Sequence, residues 1–316
     1  MTNSPQRTVV VTSRRMGAVL GAFRRPLAEA GWTVVERMPQ GQSYSALELV
    51  EAIGAAEAAI LGDDDASAEF FEHASDKLAI VLKWGVGVDS IDHGAAASRG
   101  VAIRNTPGAF GAEVADLAMG YVIALARRTF EAHQSVANGN WLQPQGQSLQ
   151  GKTLSLVGFG DIGRQLSKRA TSFGMRTVYC DPYCDDSTSS STPVSIDEAF
   201  VEADFLALTC PSTAETRGIV SARALSLMKP QAMLINVARG DLIDESALAN
   251  ALKSKQLGGA ALDVFVTEPL PTTSSLRTCD SLIFGSHNAS NTTEAIMRAS
   301  EMVVGELLAW GRGGPL

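Results

Sequence analysis

Basic residues are the minority among the charged side chains of this chain. Its 316 residues contain 26 lysines and arginines against 34 aspartates and glutamates, a formal net charge of −8. The arginines form isolated pairs rather than long runs, so the chain lacks the positive patch with which nucleic-acid-binding proteins neutralise phosphates. We therefore expect no nucleic-acid partner.

Long apolar runs and paired cysteines are also missing. No stretch reaches the roughly 18 apolar residues of a membrane span, and the arginine pair Arg14-Arg15 is followed by too short an apolar region to be an export signal. None of the four cysteines lies in a CxxC pair, which disfavours both a disulfide framework and a zinc site. We expect a cytoplasmic protein with no membrane contact and no metal.

Short apolar runs alternate with helical patterns along the chain, which is typical of parallel α/β structure. Five runs in the first hundred or so residues indicate a small open sheet of flavodoxin-like type. These predicted strands are Thr8–Thr12, Thr33–Glu36, Ala59–Leu61, Ile80–Lys83 and Val101–Arg104. Between the first two strands, Gly17–Ala30 predicts a single helix.

A second α/β series starts at Lys152 and has six strand candidates, the number that a full dinucleotide-binding sheet needs. They are Thr153–Val157, Thr177–Cys180, Phe205–Thr209, Met233–Val237, Gly259–Leu262 and Ser281–Phe284. The polar stretch Asp185–Thr192 predicts a loop, and the turn cluster Asn105–Gly108 predicts a crossing between domains. The fold class is therefore α/β with two Rossmann-like domains, the second a doubly wound parallel sheet.

The segment after the first strand of the second series fits the dinucleotide-binding pattern G-x-G-x-x-G. Its glycines permit a tight turn, close approach to a pyrophosphate and close packing of helix on strand. The segment comprises Gly158, Gly160, Asp161, Ile162 and Gly163. Asp181 ends the next strand, where a carboxylate accepts hydrogen bonds from ribose hydroxyls and repels a 2′-phosphate. We predict NAD rather than NADP as cofactor, although the glycines alone would fit an ordinary turn and Asp181 a turn before Pro182.

Other polar or titratable residues follow the later strands, and they should share one crevice at the carboxyl edge of the sheet. We assign Cys210, Pro211, Val237 and Ala238 to the cofactor-binding edge. His287 suits a general base near neutral pH, Glu268 can orient its imidazole, and Arg239 offers a planar fork for a substrate carboxylate. Each has a plainer interpretation: a surface histidine, a loop carboxylate and a salt-bridge partner.

These residues lie in strings that resemble the D-isomer-specific 2-hydroxyacid dehydrogenase family. The strings are Lys83–Asp92, Asn105–Gly108, the glycine segment, Asn236–Gly240, Ala261–Phe265 with Glu268-Pro269, and His287. The resemblance implies that Arg239, Glu268 and His287 are catalytic, that Asp263 lies by the nicotinamide amide, and that the amides of Val86 and Gly87 hold the substrate carboxylate. Lys83 stands where phosphoglycerate enzymes of the family would have Arg, and Asn288 departs from the family pattern beside His287.

The resemblance also implies the domain organisation. A discontinuous substrate domain would comprise residues 1–105 and 290–316, and residues 106–289 would form the NAD-binding Rossmann domain. A homodimer would form through the cofactor domain and the segment from Arg128 to Trp141. With the sequence ending at Leu316, we expect no long C-terminal regulatory domain.

The function expected is hydride transfer between NAD and a small anionic D-2-hydroxy acid or its 2-keto partner, with Lys83, Val86, Gly87, Arg239 and His287 binding the substrate. One alternative is oxidation of a non-carbon oxyanion such as phosphite, because two cations, Lys83 and Arg239, would suit a doubly charged substrate. A second alternative is an NAD-sensing protein without catalysis. The complete acid–base set argues against the latter.

Overall fold

The computed structural model describes residues 7–184 and 190–312 of the chain. The chain divides into two compact units, unit 1 (Met1–Phe110 with Asn291–Leu316) and unit 2 (Gly111–Ser290). The predicted roles of these parts of the chain, a discontinuous substrate domain and an NAD-binding domain with boundaries at 105/106 and 289/290, stay predictions at this point. Residues 185–189 of the loop predicted at Asp185–Thr192 lie outside the described residues.

Unit 1 contains one parallel sheet of five strands in the order β2-β1-β3-β4-β5. The strands are β1 (Arg7–Val11), β2 (Trp32–Glu36), β3 (Ala58–Leu61), β4 (Ile80–Lys83) and β5 (Ala102–Arg104). The inner strands are nearly continuous apolar runs because both faces of the sheet are covered by helices. This order is that of flavodoxin-like sheets, so the predicted fold class is confirmed.

Short helices connect these strands, and one of them corrects the sequence prediction. They are α1 (Arg14–Val19), α2 (Arg24–Glu29), α3 (Ala46–Ile53), α4 (Ala68–His73) and α5 (His93–Ser98). The single helix predicted over Gly17–Ala30 is wrong, because a 3₁₀ turn, Leu20–Ala22, separates α1 from α2. Pro26 accounts for the break: it lacks an N–H and crowds the preceding turn, so it is tolerated only in the first turn of α2.

Unit 2 contains seven parallel strands in the order β12-β11-β10-β9-β6-β7-β8. The strands are β6 (Thr153–Val157), β7 (Arg176–Cys180), β8 (Thr192–Pro193), β9 (Phe205–Leu208), β10 (Met233–Asn236), β11 (Gly259–Leu262) and β12 (Leu282–Phe284). Six of them match predicted strands. The seventh, β8, begins at the last residue of the predicted loop and was not predicted, since a two-residue edge strand beside β7 is too short to carry an apolar pattern.

The helices of unit 2 cover both faces of its sheet. They are α6 (Gly111–Arg127), α7 (Thr129–Ala137), α8 (Asp161–Ser172), α9 (Ile196–Glu202), α10 (Ala222–Leu227) and α11 (Glu245–Lys253). α6 packs against α8 and against the strands β10 and β11. Its buried face is built from small and branched residues together with Tyr121, which places a phenol directly beneath the sheet.

The last helix, α12 (Thr293–Gly311), returns to unit 1 and packs on α1 and β4. Buried polar contacts anchor it: Trp84 Nε1 donates to Ser300 Oγ at 3.0 Å, and the Arg298 guanidinium donates to the carbonyl oxygen of Ala109. At its end, Trp310 contacts Trp32, with ring centroids 6.1 Å apart. These contacts explain why a segment so late in the sequence belongs to unit 1.

Across the described part of the chain, no helix combines the length and the apolar character needed to cross a membrane.

Replacing Ser300 by alanine should destabilise unit 1 without touching its surface. The Trp84 indole N–H would then be buried without an acceptor, which typically costs about 1–3 kcal/mol. We expect the free energy of unfolding, measured by urea denaturation, to fall by that amount in Ser300→Ala. The exposed Ser98→Ala is the matched control and should change it by less than about 0.5 kcal/mol; equal effects of the two variants would contradict the assignment.

Candidate active site

The glycine loop between β6 and α8 has the geometry of a dinucleotide-binding turn. Gly158 has a φ of +96°, and a Cβ there would lie 2.6 Å from the amide nitrogen of Cys210. A Cβ at Gly163 would lie 2.5 Å from the carbonyl oxygen of Gly158. A Cβ at Gly160 would meet no atom within 4 Å. The loop is therefore packed tightly at Gly158 and Gly163 and open at Gly160. α8 begins at Asp161, and its first amides carry the partial positive charge that favours a phosphate.

Asp161 and Ile162 form the first turn of α8. The Asp161 side chain is exposed at its own position, yet its carboxylate lies against the first residue of α6, where a Cβ on Gly111 would overlap it. The carboxylate therefore lies beside the start of α6, where the helix dipole favours negative charge. The glycine at position 111 is what leaves room for it.

Asp181, at the carboxyl end of β7, lies directly beside the glycine loop. Its Oδ2 accepts a hydrogen bond from the Phe159 amide at 2.7 Å, and its Oδ1 accepts one from the Tyr183 amide at 2.9 Å. A carboxylate has about four acceptor positions, so both oxygens retain capacity for ribose hydroxyls. The loop, the helix start and this carboxylate together fit the pyrophosphate and adenosine ribose of NAD.

The loops after β9 and β10 continue the same edge. Cys210 is buried, and this burial is the main cause that raises the pKa of its thiol to about 11, so the thiol is neutral at physiological pH. Pro211 follows it. Asn236, at the end of β10, is fully buried; its Nδ2 donates to the Arg239 carbonyl at 2.8 Å and its Oδ1 accepts from the Ala238 amide at 3.0 Å. The side chain of Asn236 thereby fixes the backbone from Val237 to Arg239.

The loop that carries Arg239 comes into direct contact with the loop after β11. A Cβ at Gly240 would overlap the backbone of Phe265, so only glycine allows this approach. The amide of Phe265 in turn donates to Glu268 Oε1 at 2.9 Å. Arg239 Nη1 donates to the carbonyl oxygen of Ala238 at 2.8 Å. Gly240 thus allows the loop that carries Arg239 to contact the loop that carries Glu268.

Glu268 and His287 meet directly. His287 Nδ1 lies 2.7 Å from Glu268 Oε2, and both side chains are largely but not fully buried. Because a carboxylate only accepts, Nδ1 is the donor in this contact, and Nε2 is the ring nitrogen that can exchange a proton with a substrate. The structure brings these two predicted residues together although 19 positions separate them.

Asp263 lies at the end of β11 and is only 1% exposed. The Tyr121 hydroxyl donates to its Oδ1 at 3.3 Å, and the Ala289 amide donates to its Oδ2 at 2.8 Å. Its carbonyl oxygen accepts from the His287 amide at 2.6 Å. The structure therefore places Asp263 behind the His287 loop; its expected contact with the nicotinamide amide stays a prediction.

The predicted substrate-binding residues Lys83, Val86 and Gly87 belong to unit 1, in and just after β4. Lys83 is buried and paired with Asp63, Nζ to Oδ1 at 2.5 Å, and it also donates to the carbonyl oxygen of Gly62. Asn105 Nδ2 donates to the Val86 carbonyl at 2.7 Å, which steadies the turn. Within the described residues, the amides of Val86 and Gly87 donate to no protein acceptor, as an anion nest requires.

Sequence reasoning missed several residues that shape this site. Tyr121 and Gly285 left no local signal, since one is a single phenol in an apolar helix and the other matters only because Asp263 lies close to it. Gly240 lies in a string that resembles the family, but its close contact with the Phe265 backbone could not be read from the sequence. The role of Asn236 was detectable in part, since it directly follows an apolar strand run. Within residues 7–184 and 190–312, no cluster of three His, Cys, Asp or Glu side chains is arranged to hold a metal.

Comparison with known proteins agrees with this geometry. Residues 119–289 match the family model of the D-isomer specific 2-hydroxyacid dehydrogenase NAD binding domain. This match lies within unit 2 and confirms the predicted cofactor, NAD.

Relatives and solved structures match nearly the whole chain. It is 36% identical to a D-3-phosphoglycerate dehydrogenase of Methanocaldococcus jannaschii over 297 residues, which cover 91% of this chain but 56% of that protein. It is 37% identical to a glyoxylate reductase of Thermococcus litoralis, covering 89% of this chain and 87% of the relative. The crystal structure of the TT0316 protein from Thermus thermophilus superposes with a TM-score of 0.87 at 34% identity, covering 97% of each chain.

Asp181 should decide between the two nicotinamide dinucleotides. In Asp181→Ser, which keeps an acceptor for the Phe159 amide, the repulsion of a 2′-phosphate is removed. We expect the ratio of the Kd values for NADPH and NADH, measured by nucleotide fluorescence, to fall at least about tenfold, equivalent to about 1.4 kcal/mol. Asp76→Ser, at an exposed site in unit 1, is the control; an unchanged ratio in Asp181→Ser would reject the assignment.

Gly240 should tolerate no side chain. In Gly240→Ala the new methyl group would overlap the Phe265 backbone, and relieving the overlap should cost about 1–3 kcal/mol of unfolding free energy. The matched control is Gly120→Ala, where a Cβ meets nothing within 4 Å and alanine favours the helix. Thermal denaturation should lower the Tm of the first variant only, and a Tm of Gly240→Ala at or above wild type would contradict the contact.

Proposed function

Because this chain belongs to the D-isomer specific 2-hydroxyacid dehydrogenase family, we propose that it is an NAD-dependent oxidoreductase for a small anionic D-2-hydroxy acid and its 2-keto partner. The observation that carries the proposal is the 2.7 Å contact of His287 Nδ1 with Glu268 Oε2. It holds the imidazole of a candidate base, through Nδ1, at the same sheet edge as the glycine loop.

The proton chemistry follows from that contact. In the oxidation direction, His287 Nε2 takes the proton of the C2 hydroxyl as the C2 hydride leaves, and the imidazolium that forms is stabilised by Glu268. In the reduction direction, the imidazolium returns the proton to the carbonyl oxygen. NAD, when bound, accepts or supplies the hydride.

Arg239 is proposed to bind the substrate carboxylate and to polarise the carbonyl. A guanidinium is charged at every relevant pH and presents a planar fork that matches a carboxylate. Support comes from the way its backbone is held: Asn236 fixes the loop on one side, and the close contact of Gly240 with Phe265 fixes it on the other. Lys83, Val86 and Gly87 are also proposed to bind the substrate.

The oxyanion alternative rests on Lys83 as a second cation. The ion pair with Asp63 already compensates the Lys83 charge, which favours a singly charged group over a doubly charged one. The complete His287–Glu268 pair likewise favours an enzyme over an NAD-sensing protein, because a sensor needs no oriented base.

We also propose that the chain is a cytoplasmic homodimer. Free thiols at all four cysteines support the compartment. Apolar side chains at α7 and the segment that follows support the dimer, since Phe130 is 56% exposed and Trp141 is 76% exposed.

Light scattering after size exclusion should give twice the chain mass, and a monomer at micromolar concentration would reject the dimer.

Removing the base should abolish most of the rate. In His287→Ala we expect kcat to fall by about 10² or more, since general acid–base catalysis contributes typically 10²–10⁴. Binding of NADH, measured separately by fluorescence, should persist. The exposed His73→Ala should keep the wild-type kcat, and a near-native rate in His287→Ala would reject His287 as the base.

The substrate class is tested by oxidation of NADH, followed by its absorbance, with glyoxylate, hydroxypyruvate, phosphohydroxypyruvate and pyruvate. Reduction of NAD by phosphite and by formate forms the comparison arm. We expect turnover in the keto-acid arm. Folded, NADH-binding protein that reduces none of these acids would reject the proposed function, and turnover of phosphite alone would establish the alternative.

A further inference from the structure

The base His287 lies on an unfavourable stretch of backbone. Its φ is +53°, in the left-handed region where the Cβ of an L-residue crowds the following carbonyl oxygen. Such a conformation persists only where surrounding contacts enforce it. The contacts that enforce it therefore determine where the imidazole is presented.

Two of those contacts end on one residue, Asp263. Its carbonyl oxygen accepts from the His287 amide at 2.6 Å, and its carboxylate Oδ2 accepts from the Ala289 amide at 2.8 Å. The turn from His287 to Ala289 is thus held at both ends by the same residue. The second contact depends on how the Asp263 side chain is oriented.

The remaining oxygen of that carboxylate faces Tyr121. The Tyr121 hydroxyl, in the middle of α6, donates to Asp263 Oδ1 at 3.3 Å, and Tyr121 is only 7% exposed. Gly285 closes the other side, because a Cβ there would overlap Asp263 Oδ1. The carboxylate is therefore enclosed, with its two oxygens directed at two different donors.

Burial, followed by the charge of Asp263, raises the pKa of the Tyr121 phenol above its usual range. The hydroxyl consequently keeps its proton at all physiological pH values and acts only as a donor to Asp263. This one hydrogen bond therefore satisfies both the buried phenol hydroxyl and one oxygen of the buried carboxylate.

We propose that Tyr121 is a positioning residue: its hydroxyl holds the Asp263 carboxylate so that the turn 287–289 stays closed and the His287 imidazole stays on Glu268. The catalytic part of this inference rests on the proposed function. The contacts from Tyr121 through Asp263 to His287 lie wholly within unit 2 and can be tested without measuring enzyme activity.

The first test observes the imidazole itself. The chain has four histidines, so ring-labelled protein gives few cross-peaks in a ¹H–¹³C spectrum, and His287→Gln assigns the one of interest. Tyr121→Phe, which deletes only the hydroxyl, should move the His287 cross-peak and leave those of His73, His93 and His133. Val122→Ala, the buried neighbour on α6, is the control and should move none. An unmoved His287 peak in Tyr121→Phe, or an equal movement in the control, would overturn the proposal.

The second test measures the coupling to Asp263. Loss of one partner of a buried hydrogen bond leaves the other unsatisfied, so Tyr121→Phe should lower kcat about tenfold, with KM and the NADH Kd within about twofold. In an Asp263→Asn background the same change should lower kcat no further, because the two residues act as one unit. Additive effects, or an unchanged kcat in Tyr121→Phe, would overturn the catalytic role. Absence of wild-type turnover with an intact cross-peak response would instead reject the proposed function and leave the positioning established.

Discussion

A carboxylate removed from water must be met by donors from the protein, since a buried oxygen without a partner costs about 1–3 kcal/mol. Asp263 is such a group, and the carboxyl edge of unit 2 is arranged around it: Tyr121 donates to one oxygen and Ala289 to the other. Its backbone also links β10 to the His287 turn, through the Asn236 and His287 contacts. The end of β10 and the turn 287–289 are therefore both held by this one buried residue.

Glycines make this arrangement sterically possible. Gly158 and Gly163 let the dinucleotide turn pack against Thr209 and Cys210, just after β9. Gly240 and Gly285 let two later loops lie close to their neighbours without a side chain between them. The same close packing fixes the two loops relative to each other. Arg239 lies next to Gly240, and Gly240 contacts the backbone of Phe265, whose amide donates to Glu268. We expect substitutions in these loops to be poorly tolerated, because each loop is in direct contact with the next one.

Much of the fold could be predicted, for reasons that concern particular residues. The apolar run Phe205–Leu208 and the apolar residues that begin Met233–Asn236 are strands in the structure, because buried parallel strands carry that pattern. The prediction failed where a short-range signal was absent or misleading: β8 has only two residues, and Pro26 divides a region that periodicity alone marks as one helix. Glu268 and His287 could be named in advance because they follow strands of one sheet and lie in strings that resemble the family.

By itself, the sequence determined the class of the sheet, the place of the glycine turn and the identity of the polar side chains at strand ends. These depend on neighbours along the chain, through side-chain periodicity and the backbone freedom of glycine. Only the tertiary structure decided that His287 adopts a left-handed backbone, that Lys83 pairs with Asp63, and that a phenol 142 positions away supports Asp263. The physical reason is that hydrogen bonds between buried groups depend on how helices and strands pack, and packing of that range leaves no periodic trace in the chain.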